Sequence, residues 1–198
     1  DILCGLEWDQ FSDDNPQLYD YWIGSVHYLR GPRTGKYYEI DWRPQDLKEC
    51  MDNDFGGDGL AMAEAYFASV AEVAAKKPDI LGHVDLIKKL NCTGAYFDEN
   101  APRYKAAALA ALEAAQKAGC VLEINTGGVY RGFRSDFYPS FFLLEAWQKM
   151  DGRVVITADA HTTDALTYGY EEAAKLAKAA GFAEVQVMTV RGFEPCAL

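Results

Sequence analysis

The sequence predicts an α/β fold, a parallel sheet whose strands are joined by helical crossovers. Three observations carry that expectation. Short apolar runs alternate with longer segments of helical period along the chain. All three histidines follow apolar runs, in Ile23-Gly24-Ser25-Val26-His27, Ile80-Leu81-Gly82-His83-Val84-Asp85 and Val154-Val155-Ile156-Thr157-Ala158-Asp159-Ala160-His161. The segment Leu3-Cys4-Gly5-Leu6-Glu7-Trp8-Asp9 ends in carboxylates in the same way. Strand ends of a parallel α/β fold gather on one side of the sheet, so these groups would converge on one polynuclear metal site.

Residues 3–7 read as a buried strand and residues 21–27 as a second. Residues 37–42 alternate weakly and read as a short extension outside the sheet. Gly56-Gly57-Asp58-Gly59 is a loop, and residues 60–76 form a strong Ala-rich helix stopped by Pro78. Residues 80–83 are a strand. The next helix covers 101–118, with Pro102 in its first turn and Gly119 as its stop. Residues 120–124 are a strand, and Ser140 is placed to cap a helix running to about Met150. A strand at 154–158 precedes a helix capped by Thr163 or Asp164 and ending at Gly181; residues 184–190 are the last strand. With no repeat or linker in view, residues 1–198 read as one domain. The chain opens directly into a strand-like run, so further sequence is expected upstream.

Composition narrows the function. Apolar residues make up 49% of the chain and aromatics 13%, enough for a real core and against disorder. A net charge of −11 argues against a nucleic-acid backbone as partner. It leaves room for an anionic small substrate, because bound cations reverse the local sign. Five cysteines, an odd number without a CxxC, suggest a reducing cytoplasm, with Cys4 and Cys120 as buried thiols. No stretch is long and apolar enough to cross a membrane, and no signal peptide is visible.

Imidazole and carboxylate together suit Zn, Mn or Fe, whereas Mg favours all-oxygen ligands. The candidate ligands are Glu7, His27, His83, Asp159 and His161. Each alone has an ordinary structural explanation: a strand-end histidine is often a hydrogen-bonded framework residue, Glu7 can cap a helix, and Asp159 can belong to a turn. The conjunction of all of them at strand ends is what points to metal. Such a cluster makes hydroxide from water at neutral pH and stabilises an attacked phosphoryl group.

Five segments, taken in order, resemble motifs of the PHP metallophosphoesterase superfamily. They are Gly5-Leu6-Glu7-Trp8-Asp9, Ile23-Gly24-Ser25-Val26-His27, Leu81-Gly82-His83-Val84-Asp85-Leu86-Ile87, Leu122-Glu123-Ile124-Asn125-Thr126 and Asp159-Ala160-His161. Tyr138-Pro139-Ser140 looks like the histidinol-phosphatase branch. The resemblance implies a seven-stranded (β/α) barrel with a trinuclear centre at the strand ends. By that resemblance Glu7 would bridge two metals, His27 and His83 would bind the second, Asp159 the first and His161 the third. It also implies hydrolysis of L-histidinol phosphate in histidine biosynthesis. The family opens with a His-x-His motif that this chain lacks, so the first two strands are expected to be missing and the barrel incomplete. Expected consequences are weak binding of one or two ions, or pairing between copies through the open edge, together with little activity.

On the substrate side, Arg131 and Arg134 in the glycine-rich loop after Asn125 are candidates to clamp phosphate, or else are solvated loop residues. Glu123 and Asn125 are candidates for the amine or imidazole of histidinol, or for a structural role. Lys88 and Lys89 belong to a pocket rim or, more simply, to a solvated face. The chemistry expected is single-step attack by a metal-bridging hydroxide, with Asp159 or a water supplying the leaving-group proton. Alternatives are a tyrosine-phosphatase or nuclease-type PHP protein and a non-catalytic binding module.

Overall fold

The computed structural model describes residues 2–198. Its strands are β1 (Gly5–Asp9), β2 (Tyr21–Ser25), β3 (Tyr28–Arg30) and β4 (Tyr37–Glu39), then helices α1 (Pro44–Phe55) and α2 (Gly59–Ala75). There follow β5 (Ile80–Leu81), α3 (Pro102–Ala118), β6 (Val121–Asn125), α4 (Gly127–Tyr130) and α5 (Phe141–Lys149). The chain ends with β7 (Arg153–Thr157), α6 (Tyr170–Ala179), β8 (Glu184–Thr189) and β9 (Gly192–Ala197). One seven-stranded sheet runs β1-β2-β5-β6-β7-β8-β9. Its neighbours are parallel except β8 and β9. β3 and β4 form a separate antiparallel hairpin. Among the described residues β1 pairs only with β2 and β9 only with β8, so the barrel is not closed.

Parity along the strands decides which side chains face inward. Tyr21, Ile23, Ile80, Val121 and Val155 pack together with Phe193 of β9 and fill the lower lumen. One step further along the strands the same inward row turns polar, with Glu7, Ser25, Glu123, Asn125 and Thr157. Outward residues pack on the helices. Trp8 meets Trp22 edge-on at 5.7 Å. At Gly24 an added methyl would press into Val73 and Pro78, so glycine lets α2 lie close against β2. Between α2 and α3, Phe67 stacks edge-on with Tyr66 at 5.4 Å and with Tyr104 at 5.2 Å. Each such fully buried aromatic contributes about 2–3 kcal/mol of apolar burial.

The structure departs from sequence expectation in several places. β1 lies two residues later than the 3–7 run, and Cys4 is exposed rather than buried. α1 was not expected; Pro44 starts it, Gly56 at φ +64° ends it, and Leu47 and Cys50 anchor it. Asp58 caps α2, its Oδ1 accepting from the Leu60 and Ala61 amides at 3.0 Å. Ser140 precedes α5 but does not cap it, because its hydroxyl bonds to Asp85 Oδ2 at 2.6 Å instead. The last helix starts at Tyr170, after Gly169 at φ +72°; residues 163–165 form only a short 3-10 turn. Beyond β8 the chain reverses into β9, whose Pro195 is tolerated on an edge strand. Lys88 and Lys89 are buried, not solvated.

Candidate metal centre

The ends of β1, β2 and β5 bring Glu7, His27 and His83 together. His83 Nε2 lies 3.1 Å and His27 Nε2 3.3 Å from Glu7 Oε1, and the two imidazole rings sit 5.0 Å apart. One ligand atom from each residue falls within 4.8 Å of the others. Backbone contacts hold the trio. The His27 amide donates to Asp9 Oδ2 at 2.9 Å, and the His83 amide to Glu123 Oε2 at 2.6 Å. Gly82 is required for this approach, since a methyl there would collide with Ser25 Oγ. Ser25 Oγ donates to Glu7 Oε1 at 3.0 Å.

The electrostatics of the trio suit a cation site. Burial pushes the Glu7 carboxyl up, but hydrogen bonds from His27 and His83 outweigh it and hold Glu7 far below the carboxylate range. Burial pulls His27 down, yet Asp9 and Glu7 raise it to about 10. His83 is raised as well, its bond to Glu7 outweighing burial. The atoms that meet one another here are those a divalent cation would take as ligands. The donor set, one carboxylate and two imidazoles opening on a cavity, suits Zn, Mn or Fe.

Asp159 and His161 stand on another part of the same wall, outside the tight trio. Asp159 adopts φ +46°, an unusual conformation for a residue with a side chain. Arg131, just after α4, ties them together. Its Nη2 donates to Asp159 Oδ2 at 2.7 Å, and its Nη1 meets the Asp159 carbonyl at 3.1 Å and His161 Nδ1 at 2.9 Å. Beneath both groups lies Glu123, 3% exposed, which accepts from Thr157 Oγ1 at 2.6 Å and Asn125 Nδ2 at 3.2 Å. Burial pushes its carboxyl up.

A cavity of about 750 Å³ opens over these groups, lined by Glu7, His27, His83, Arg131, Asp159 and His161. Glu123 and Asn125 lie below its lining, and Arg134 lies outside it. Arg134 is engaged by Glu99 at 3.2 Å and Asp136 at 2.9 Å. On the cavity's other wall Lys89 fits the pocket-rim reading, whereas Glu39, Asp41 and Trp42 escaped sequence reasoning. Tyr28, Glu39, Asp41 and Trp42 come from the β3–β4 hairpin and its exit, joined by Lys89, which pairs with Asp41 at 3.0 Å. Burial, then the charges of Glu39, Asp9 and Asp41, raise the Tyr28 phenol. The signal in the sequence was Tyr38 and Ile40 alternating with Glu39 and Asp41, a weak strand pattern next to a candidate ligand.

Carboxylate and imidazole groups gathered at the C-terminal ends of parallel strands define an α/β protein with a candidate strand-end metal centre. The PHP domain model matches residues 8–127, and the chain belongs to the PHP domain family. It is 32% identical over 159 residues to a Deinococcus radiodurans protein named probable histidinol-phosphatase, covering 79% of this chain and 53% of that protein. It is 27% identical over 186 residues to the Bacillus subtilis histidinol-phosphatase, covering 86% and 67%. The chain therefore spans about half to two thirds of the length of these curated relatives. The fold is shared with histidinol phosphate phosphatase from Lactococcus lactis, solved with zinc, L-histidinol and phosphate. The TM-score is 0.59 at 19% identity, over 93% of this chain and 65% of that one. No helix among the described residues is long and apolar enough to cross a membrane.

Proposed function

We propose that this chain carries the centre of a metal-dependent phosphomonoesterase acting on L-histidinol phosphate. The observation that carries the reading is the convergence of Glu7, His27 and His83 within 4.8 Å beside Asp159, His161 and Arg131 in one cavity. The names of the curated relatives support the substrate. One or two divalent ions, fewer than the two to three of the family, with zinc first and manganese or iron as alternatives, would be held by Glu7, His27 and His83 and by Asp159 and His161. When bound, they supply hydroxide at neutral pH and neutralise charge on the phosphoryl group.

The chain's own residues do the rest. Arg131 Nη1 and Nη2, a fork suited to bidentate binding, would reach phosphate oxygens by exchanging their bonds to Asp159 and His161. Arg134 supports that loop through Glu99 and Asp136 and would reach phosphate only by releasing one of them. Asp159 Oδ1, which accepts from neither Arg131 nor Asn125, would take a proton from the attacking water and return it to the leaving alkoxide oxygen as the P–O bond breaks. Glu123 and Asn125 hold this floor rigid from below.

The same reading takes residues 1–198 as one domain, supported by a core that runs from Trp8 to Val185. It places the protein in the cytoplasm, in histidine biosynthesis, without nucleic-acid or membrane partners; the free thiols of all five cysteines support a reducing compartment. Copies would pair through the free edge of β1. The deciding experiment is phosphate release from L-histidinol phosphate with zinc, manganese or iron(II) supplied, alongside metal content by mass spectrometry. Release that EDTA abolishes supports the assignment; a chain that takes up no stoichiometric metal and releases no phosphate overturns it.

A further inference from the structure

We propose that Glu39 sets specificity for a phosphate ester with a cationic head group, by holding the substrate's ammonium or imidazolium against the β3–β4 hairpin. The proposal rests on the phosphatase reading and deepens it. Charges on the cavity wall are mostly spent on one another. Asp159 pairs with Arg131 at 2.7 Å, Asp41 with Lys89 at 3.0 Å, and Glu7 with two imidazoles. Glu39 is the carboxylate lining the cavity that has no cation within 4 Å among the described residues. Arg43 lines the wall unpaired too, but it repels a cationic head, so attraction has to come from Glu39.

Glu39 is also held in place. It lies in register with Tyr28, between Tyr38 and Ile40, which are 2% and 0% exposed. The Ile40 amide donates to the His27 carbonyl at 2.9 Å, which ties the hairpin directly to a proposed metal ligand. Around it the cavity exposes the aromatic side chains of Tyr28 and Trp42, while the Phe133 ring carries the Lys89 ammonium 4.6 Å from its centroid. A carboxylate among aromatic side chains suits a flat organic cation. It also repels phosphate, which orients the ester with its phosphoryl group toward the metal ligands.

Calorimetry with L-histidinol and, separately, inorganic phosphate tests this on the intact chain with and without zinc. Glu39→Gln should weaken L-histidinol by about tenfold, the loss of one charge-assisted contact, while phosphate affinity stays within about twofold. In turnover, its selectivity for L-histidinol phosphate over 4-nitrophenyl phosphate should fall by a similar factor. Circular dichroism checks that the variant folds, and Glu39→Asp should restore part of the binding. An L-histidinol affinity unchanged in Glu39→Gln, or no binding of L-histidinol to the parent chain, overturns the proposal. If the parent chain hydrolyses neither ester, the phosphatase reading fails, and calorimetry still decides the role of Glu39.

Discussion

Replacing Lys88 with methionine should destabilise the protein far more than a surface lysine substitution would. Lys88 is 0% exposed and follows the end of β5. Its ammonium contacts Asp85 Oδ2 at 3.0 Å, Asp136 Oδ2 at 2.7 Å, Ser140 Oγ at 2.7 Å and the Phe137 carbonyl at 3.2 Å. Asp85 is buried to the same degree, and its Oδ1 has no hydrogen-bond partner. Methionine keeps most of the buried stem, so the cost falls on charge. Asp85 would be left with only the Ser140 amide and hydroxyl to hold it. Breaking a buried pair on one side costs about 3–5 kcal/mol. That is a large share of a total near 5–15 kcal/mol, and it corresponds to a Tm lowered by roughly 6–20 °C in a chain of this size. Urea unfolding followed by tryptophan fluorescence reads the change. Lys88→Met combined with Asp85→Asn should recover part of the loss, because the stranded charge is gone. A single-variant cost below about 1 kcal/mol, or a double variant as poor as the two singles added, would refute the reasoning.

Other outcomes follow from the same geometry. Asp54, 4% exposed, accepts from the Arg33 and Thr34 amides and from Thr34 Oγ1, each at 2.8 Å. Asp54→Ala should cost about 2–3 kcal/mol by urea titration. Burial raises the Asp54 carboxyl but those bonds lower it to about 2. Since the folded value lies below the unfolded one, this stability is present above about pH 4 and drains away as pH falls toward 2. The acid limb of the pH–stability curve should therefore flatten in Asp54→Asn. Gly59→Ala should destabilise the start of α2, because a methyl there drives into the Tyr96 carbonyl, and a melt unchanged from the parent would contradict that. Glu7→Ala should lower zinc affinity by at least about 100-fold in competition with a chelating dye, since it removes a ligand rather than a supporting residue. Sedimentation should show concentration-dependent dimers; monomers throughout would argue against pairing at the β1 edge.

Strand-end chemistry was the most legible part of this protein. Glu7, His27, His83 and Asp159 needed only the parallel-sheet rule to be placed in one region, because apolar runs of length four or five leave little choice about where a buried strand stops. What distance cannot be read from a run is how close two strand ends come, and Asp159 with His161 indeed stands apart from the trio, held by Arg131. Lys88 was misread because a lysine after a strand is ordinarily solvated. Its burial depends on Asp85 and on Asp136, which lies 48 residues away, a partner no local pattern announces. Ser140 was read as a cap for the same reason, since Asp85 competes for its hydroxyl from a distant turn. α1 and β9 were missed for different causes. α1 buries only a narrow stripe amid acidic residues, and β9 draws its stability from pairing with β8 rather than from any alternation of its own.

The backbone at Asp159 turns through φ +46°, a shape glycine adopts freely and most other residues resist. Stability alone would favour glycine or asparagine at that position. On the proposed reading a carboxylate there keeps a working group on the loop after β7 at the expense of local comfort, and a screen for more heat-resistant variants should drift toward replacing it.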